Sequence, residues 1–206
     1  MTVPQALIEA ATAYEALSAP ALFRQWAPIV AEAARIKSGD RVLDVACGTG
    51  VLARVAAARS GQTGHIVGID PHTGMLAVAK GVSPAIDWQK GTTEALPLPD
   101  CSFDAVVCQF GLIFFSDRNM AVREMLRVMV PGGRCAVAVW DTLENAPAFA
   151  ALVSCSTASP DKAADGLPSC SGTDKCSPSS SAAQKPNLSM SRLIKAQHGF
   201  PSRTSS

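Results

Sequence analysis

An apolar run, Val42-Leu43-Asp44-Val45, opens through Ala46-Cys47-Gly48-Thr49-Gly50 into a stretch of helical composition, and this junction restricts the fold more than any other segment. Glycines at a strand-to-helix bend remove the Cβ atoms that would keep a ligand off the backbone, and a helix N-terminus favours anionic groups. Twenty residues after Gly50, Asp70 closes a second apolar run, Ile66-Val67-Gly68-Ile69-Asp70. An acid there can accept both hydroxyls of a ribose, which selects a ligand containing a nucleoside. Taken alone the pattern is loose. Gly48-x-Gly50-x-x-Ala53 also fits a nicotinamide-dinucleotide fingerprint, and a tight turn that binds nothing would look the same.

The surrounding chain alternates strand-like and helical stretches. Residues 1–37 read as two helices broken near Ser18-Ala19-Pro20, the second with Leu22, Trp26, Ile29 and Ala33 on one apolar stripe, and Ser38-Gly39-Asp40 stops it. Strands are expected at residues 41–47, 65–70, 85–89, 103–109 and 134–140, with helices over residues 50–60 and 75–80. Ser116-Asp117 caps a further helix whose apolar face is Val122, Met125, Leu126 and Met129, with Arg123, Glu124 and Arg127 mostly outward, and Pro131-Gly132-Gly133 ends it. Strands alternating with helices of this length imply βαβ units and a parallel sheet, and near-continuous apolar strands imply cover on both faces. The expected fold is α/β, doubly wound and Rossmann-like.

Composition divides the chain near Val153. Residues 1–153 carry a net charge of −2 and six serines, whereas residues 154–206 carry +3, 14 serines and no glutamate. Only Leu167, Leu188, Leu193, Ile194 and Phe200 represent Leu, Ile, Val and Phe in that tail, too few to bury enough area to offset ordering entropy. The tail reads as disordered. The formal net charge of +1 argues against nucleic-acid or membrane-surface binding driven by bulk charge. No apolar run approaches the length of about 20 residues that a spanning helix needs, and Met1-Thr2-Val3-Pro4-Gln5 does not open like a signal peptide. Seven cysteines without a Cys-x-x-Cys pair fit reduced thiols in the cytoplasm. His65 and His198 lack partners at metal-ligand spacing, so no metal is expected.

The junction becomes specific in company. Asp44 stands two residues before Ala46-Cys47-Gly48-Thr49-Gly50; Glu94-Ala95-Leu96-Pro97-Leu98-Pro99-Asp100 leads into Ser102-Phe103-Asp104-Ala105-Val106; and Leu126-Arg127-Val128-Met129-Val130 precedes Pro131-Gly132-Gly133. In this order, from about Tyr14 to Val153, the chain resembles class I S-adenosylmethionine-dependent methyltransferases, in the branch of the ubiquinone/menaquinone-biosynthesis enzymes. The resemblance implies S-adenosylmethionine as cofactor. It implies that Asp44 orients the glycine loop, that Ala46, Gly48 and Gly50 line the methionine part, and that Asp70 grips the ribose. Pro71 and Met75 would then pack near the adenine. Thr92 and Thr93 fall where the family often has an acid and a small residue, and Gln109 would face the methionine or the acceptor. Ala46 in place of the first glycine and Thr92 in place of the acid depart from the pattern, since a hydroxyl only partly replaces a carboxylate as acceptor.

Plainer readings stand beside these. Asp44 is also compatible with a strand-end carboxylate satisfied by backbone, Gln109 with a polar strand terminus, and His72 with an exposed helix-start histidine. Met120, Met125 and Met129 read as core filler, and Cys47 and Cys108 as small buried residues. The expected layout is an N-terminal pair of helices on the lid and substrate side (residues 1–37), a cofactor domain (38–153) and the tail (154–206).

No catalytic side chain is assigned, because transfer from an activated methyl asks mainly for positioning and desolvation. The acceptor is expected to be a small molecule, methylated on O, N or C. A nicotinamide-dependent oxidoreductase and a non-catalytic cofactor-binding protein remain as alternatives, and the oligomeric state stays open. Members of the branch continue past the fifth strand into a helix and two antiparallel strands, which complete a seven-stranded sheet. Here the family look stops at Val153, so a frameshift near codon 153 that removed the last two strands and impaired activity is one expectation, and a genuine tail the other.

Overall fold

In the computed structural model, which describes residues 3–140, the five expected strands form one sheet. They are β1 (Arg41–Val45), β2 (His65–Asp70), β3 (Asp87–Lys90), β4 (Phe103–Gln109) and β5 (Met129–Ala138). Every ladder is parallel and the order is β3-β2-β1-β4-β5. The chain builds from β1 outward to β3, then returns to the other side of β1 for β4 and β5. The order therefore reverses between β1 and β4, the place where open α/β sheets bind ligands. The expectations about residues 154–206, and about strands after the fifth, lie outside the described residues.

Among the described residues the helices are α1 (Gln5–Ala13), α2 (Ala27–Ala33), α3 (Val51–Ser60), α4 (Thr73–Val82) and α5 (Arg118–Val128), with a 3-10 turn at Leu112–Phe114. Val42, Leu43 and Val45 of β1 and Ala105 to Cys108 of β4 are buried at consecutive positions, as a sheet covered on both faces requires. Leu43, Val45, Val67, Ile69, Val106, Met125 and Val128 share one core.

Several expectations change. The N-terminal helices do not break at Pro20: residues Tyr14–Phe23 continue from α1 as a π-helix that contains it. Proline lacks an N–H and its ring collides with the carbonyl four residues back, and widening the turn relieves both problems without stopping the helix. The break comes instead at Arg24-Gln25-Trp26, and α2 buries Ala27, Val30 and Ala31 while Ile29 is exposed. That helix ends before Ser38: Arg35 takes φ +49°, and the N–H groups of Arg35 and Ile36 reach back to the carbonyls of Glu32 and Ala31. This is a Schellman closure with arginine in the left-handed position.

On α5 the buried residues are Ala121, Met125 and Val128, and Val122 and Met120 point outward. The helix then stops three residues before Pro131. Met129 already pairs with Phe103, whereas Arg134 pairs with Ala105, so Pro131-Gly132-Gly133 is accommodated as extra length within β5, with Gly132 at φ +77°. The third strand begins at Asp87, two residues later than expected.

Candidate functional site

Asp44, Ala46, Gly48, Asp70 and Gln109, half of the candidate site residues, meet at the carboxyl ends of β1, β2 and β4. After Val45 the chain takes positive φ at Ala46 (+55°), Gly48 (+56°) and Gly50 (+87°), which turns it sharply into α3. For Ala46 the left-handed conformation costs roughly 1–2 kcal/mol. A Cβ on Gly48 would meet nothing within 4 Å, so this glycine leaves open space above the loop.

Asp70 joins β2 to that loop. Its Oδ2 accepts the Gly48 N–H at 2.9 Å and its Oδ1 accepts the His72 N–H at 2.8 Å. Burial raises its pKa, and the two N–H donors pull the other way. Each oxygen keeps a second lone pair for another donor. Asp44, at 1 % exposure, is more enclosed. Burial pushes its pKa up to about 8, a backbone hydrogen bond from Ala53 opposes the rise, and the charge of Asp70 adds to it. The Oδ2 of Asp44 and the Oε1 of Gln109 are buried with no partner among the described residues. The amide of Gln109 donates from Nε2 to the Phe23 carbonyl at 3.0 Å.

Asp44, Ala46, Gly48 and Gln109 line one cavity of about 40 Å³, which Tyr14 and Phe23 also line. It has room for about three water molecules. Two buried acceptors facing one small space suit a ligand group rich in N–H donors.

The other expected residues are placed differently. Gly50 does not line the cavity: a Cβ there would overlap the indole of Trp88, and so would one on Gly68. The indole lies against both backbones and donates from Nε1 to the Ser83 carbonyl at 2.8 Å. Pro71 and Thr92 are exposed, Thr93 is buried, and Met75 is half-buried in the first turn of α4, all outside the cavity lining. His72 is exposed and caps α4, accepting the Met75 N–H at Nδ1. Cys47 and Cys108 are buried, and burial pushes the Cys108 thiol up to about 12.

Sequence reasoning missed Tyr14 and Phe23. Tyr14 is the single tyrosine of the chain and stands in an alanine-rich helical stretch, which is the one signal that marked it. Among the described residues no cluster of His, Cys, Asp and Glu could hold a metal ion, and no helix is long and apolar enough to cross a membrane.

Residues 43–137 match the family described as methyltransferase domain. The ubiquinone/menaquinone biosynthesis C-methyltransferase UbiE of Xanthomonas campestris pv. campestris is 40% identical over 122 residues, 56% of this chain and 48% of that protein. The chain thus spans about half the length of the curated relatives it matches. Among solved structures, a SAM dependent methyltransferase from Aquifex aeolicus has a TM-score of 0.58 at 23% identity, covering 64% of this chain and 73% of that one, a likeness of fold alone. The [4+2]-cyclase SpnF is 34% identical with a TM-score of 0.51, covering 56% of this chain and 44% of that one.

Proposed function

We propose, from the premise that residues 43–137 form a class I S-adenosylmethionine-dependent methyltransferase domain resembling the ubiquinone/menaquinone C-methyltransferases, that this chain binds S-adenosylmethionine at the ends of β1, β2 and β4 and directs its methyl group to a small-molecule acceptor. The observation that carries this reading is the pair of partnerless buried acceptors, Asp44 Oδ2 and Gln109 Oε1, beside a loop that Asp70 holds through the Gly48 N–H. The two acceptors suit the ammonium end of the cofactor's methionine part, and the free lone pairs of Asp70 suit ribose hydroxyls. Ala46 and Gly48 present backbone to the same ligand. Pro71 and Met75 follow Asp70 and would flank the adenine, and Thr92 and Thr93, just past β3, would join them. Gly50 acts one step back, by seating Trp88 under the loop.

Bound there, the cofactor supplies a methyl group already activated on a sulfonium. The chain's part is to orient it and to keep water away, and no side chain of the described residues is assigned a proton-transfer role. The Xanthomonas campestris relative is named for ubiquinone and menaquinone biosynthesis, so a quinone-type ring is the first acceptor to test, with carbon as the methylated atom. We assign residues 1–37 to the lid and substrate side and residues 38–153 to the cofactor domain. We place the reaction in the cytoplasm, where free thiols such as those of Cys47 and Cys108 persist.

Calorimetric titration of the full chain with S-adenosylmethionine, S-adenosylhomocysteine and NADH tests the cofactor, with binding of the first two and not the third expected. Tighter binding of NADH would point to an oxidoreductase instead. Mass spectrometry of quinone-type acceptors after incubation tests transfer. The likeness to a [4+2]-cyclase makes turnover, and not binding alone, the deciding property.

A further inference from the structure

The N-terminal segment is tied to the glycine loop by side chains to which the cofactor reading gives no part. Glu15, in the π-helical stretch, accepts the Thr49 hydroxyl at Oε2 (2.5 Å) and pairs through Oε1 with Arg54 Nη2 (2.8 Å). Arg54, one turn into α3, also donates from Nη1 to the Thr49 carbonyl at 2.7 Å. The three groups close a ring around Thr49, the residue between the two loop glycines. Both members of the ion pair are mostly covered, at 17% and 23% side-chain exposure, so solvent screens the pair less than a surface pair.

Either side of this ring the segment lies over the cavity. Tyr14 and Phe23 stack at 5.4 Å, and Phe23 meets Phe110 at 5.9 Å just after the strand that ends in Gln109. Burial, with the charges of Glu15 and Asp70, pushes the Tyr14 hydroxyl up to about 12. At its far end the segment is anchored: Gly74 of α4 has no room for a Cβ against the backbone of Leu7 in α1. A cavity of about 40 Å³ under this cover is far smaller than any nucleoside.

We propose that Glu15 is a positioning residue of the cofactor site: its bonds to Thr49 and Arg54 hold residues 14–23 down on the glycine loop, and this latch must open before S-adenosylmethionine enters. The proposal rests on the cofactor reading for the identity of the ligand, and on Glu15, Thr49 and Arg54 alone for the latch. Opening precedes binding, so the latch sets the association rate, and the same bonds reformed over the ligand slow its release.

The test uses the full chain, with S-adenosylhomocysteine as the probe in surface plasmon resonance and amide exchange read by mass spectrometry. Glu15→Gln is expected to raise the association rate at least fivefold and to speed exchange over residues 14–23 at least tenfold. The charge-swapped pair E15R/R54E is expected to bring both back toward wild type, which a general loss of packing would not do. Arg54→Gln attacks the latch from α3 and replaces Glu15→Gln should that variant fail to fold. An association rate and an exchange pattern unchanged in both single variants would overturn the latch. Failure of the wild-type chain to bind the probe would overturn the cofactor reading instead, and the exchange data would still decide the latch.

Discussion

The Asp70 Oδ2 atom accepts the Gly48 N–H at 2.9 Å, so the end of β2 and the loop after β1 behave as one hydrogen-bonded piece. Replacing Asp70 with alanine removes an acceptor from the loop and, on the proposed function, from the ligand as well. Hydrogen bonds to charged groups contribute roughly 1.5–3 kcal/mol each, so affinity for S-adenosylhomocysteine is expected to fall at least about tenfold. Urea denaturation should show a further loss of about 1–3 kcal/mol from the stranded Gly48 N–H. Asp70→Asn, which keeps one acceptor oxygen, should fall between. Unchanged affinity in calorimetry would take Asp70 out of the site.

Gly50 and Trp88 are coupled through space. Gly50→Val meets both a φ of +87° and the indole ring, and is expected to cost about 2–5 kcal/mol of stability along with cofactor binding. Gly50→Ala in a Trp88→Leu background should recover part of the loss, with a coupling of about 1 kcal/mol or more in a double-mutant cycle. Additive effects would show that the ring is not what the glycine accommodates.

Asp44 gives stability a pH dependence of unusual sign for a carboxylate. Its folded pKa of about 8 lies above the ordinary 3.8, so its contribution is complete below pH 3.8 and drains away as pH rises toward 8. Asp104 acts in the opposite sense. Its hydrogen bond from Arg41 lowers it to about 2, so that contribution is present above 3.8 and is lost as pH falls toward 2. Between pH 5 and pH 9 the wild type is expected to lose at least about 1 kcal/mol more than Asp44→Asn, the equivalent of one pKa unit. Parallel urea midpoints for the two proteins across that range would refute the assignment.

Arg127 organises the turn before β4. It pairs with Glu124 at 2.7 Å and donates to the carbonyls of Leu96 and Leu98 at 3.0 and 2.9 Å, while Glu124 accepts the Leu96 N–H. Arg127→Ala is expected to cost about 2 kcal/mol and to speed amide exchange at residues 96–100. Arg127→Lys should recover little, because an ammonium cannot reach several acceptors in one plane.

The parts of the fold that could be read in the residues are those whose signals are local. β4 runs from Phe103 to Gln109 as its valine-rich stretch indicates, and α3 starts where the glycines end. The start of β5 was illegible because Met129-Val130 fits a helix face as well as a strand, and Pro131-Gly132-Gly133 looks like a terminator. Only pairing with Phe103 and Ala105 shows it to be extra length in a ladder. The same division holds in the site. Asp44, Gly48, Asp70 and Gln109 stand at strand ends, where position along the chain predicts position in space. Tyr14, Glu15 and Phe23 arrive from some 30 to 90 residues away, and no local pattern announces where a helical segment will lie. The overlap of Gly50 with Trp88 was hidden for the same reason, since it takes the β2–β3 register to bring that ring under the loop.

The strand made first after the N-terminal helices, β1, is the one that ends up in the middle of the sheet. Once β1, β2 and β3 have left the ribosome, the edge of β1 that receives Val42-to-Ala105 pairing still has nothing to pair with until β4 emerges. Half of the sheet therefore waits with its central strand open on one side, the condition under which nascent chains aggregate or recruit chaperones. Slow decoding between the release of β3 and the release of β4 would lengthen that wait, so the yield of folded protein depends on the speed of translation as well as on the sequence.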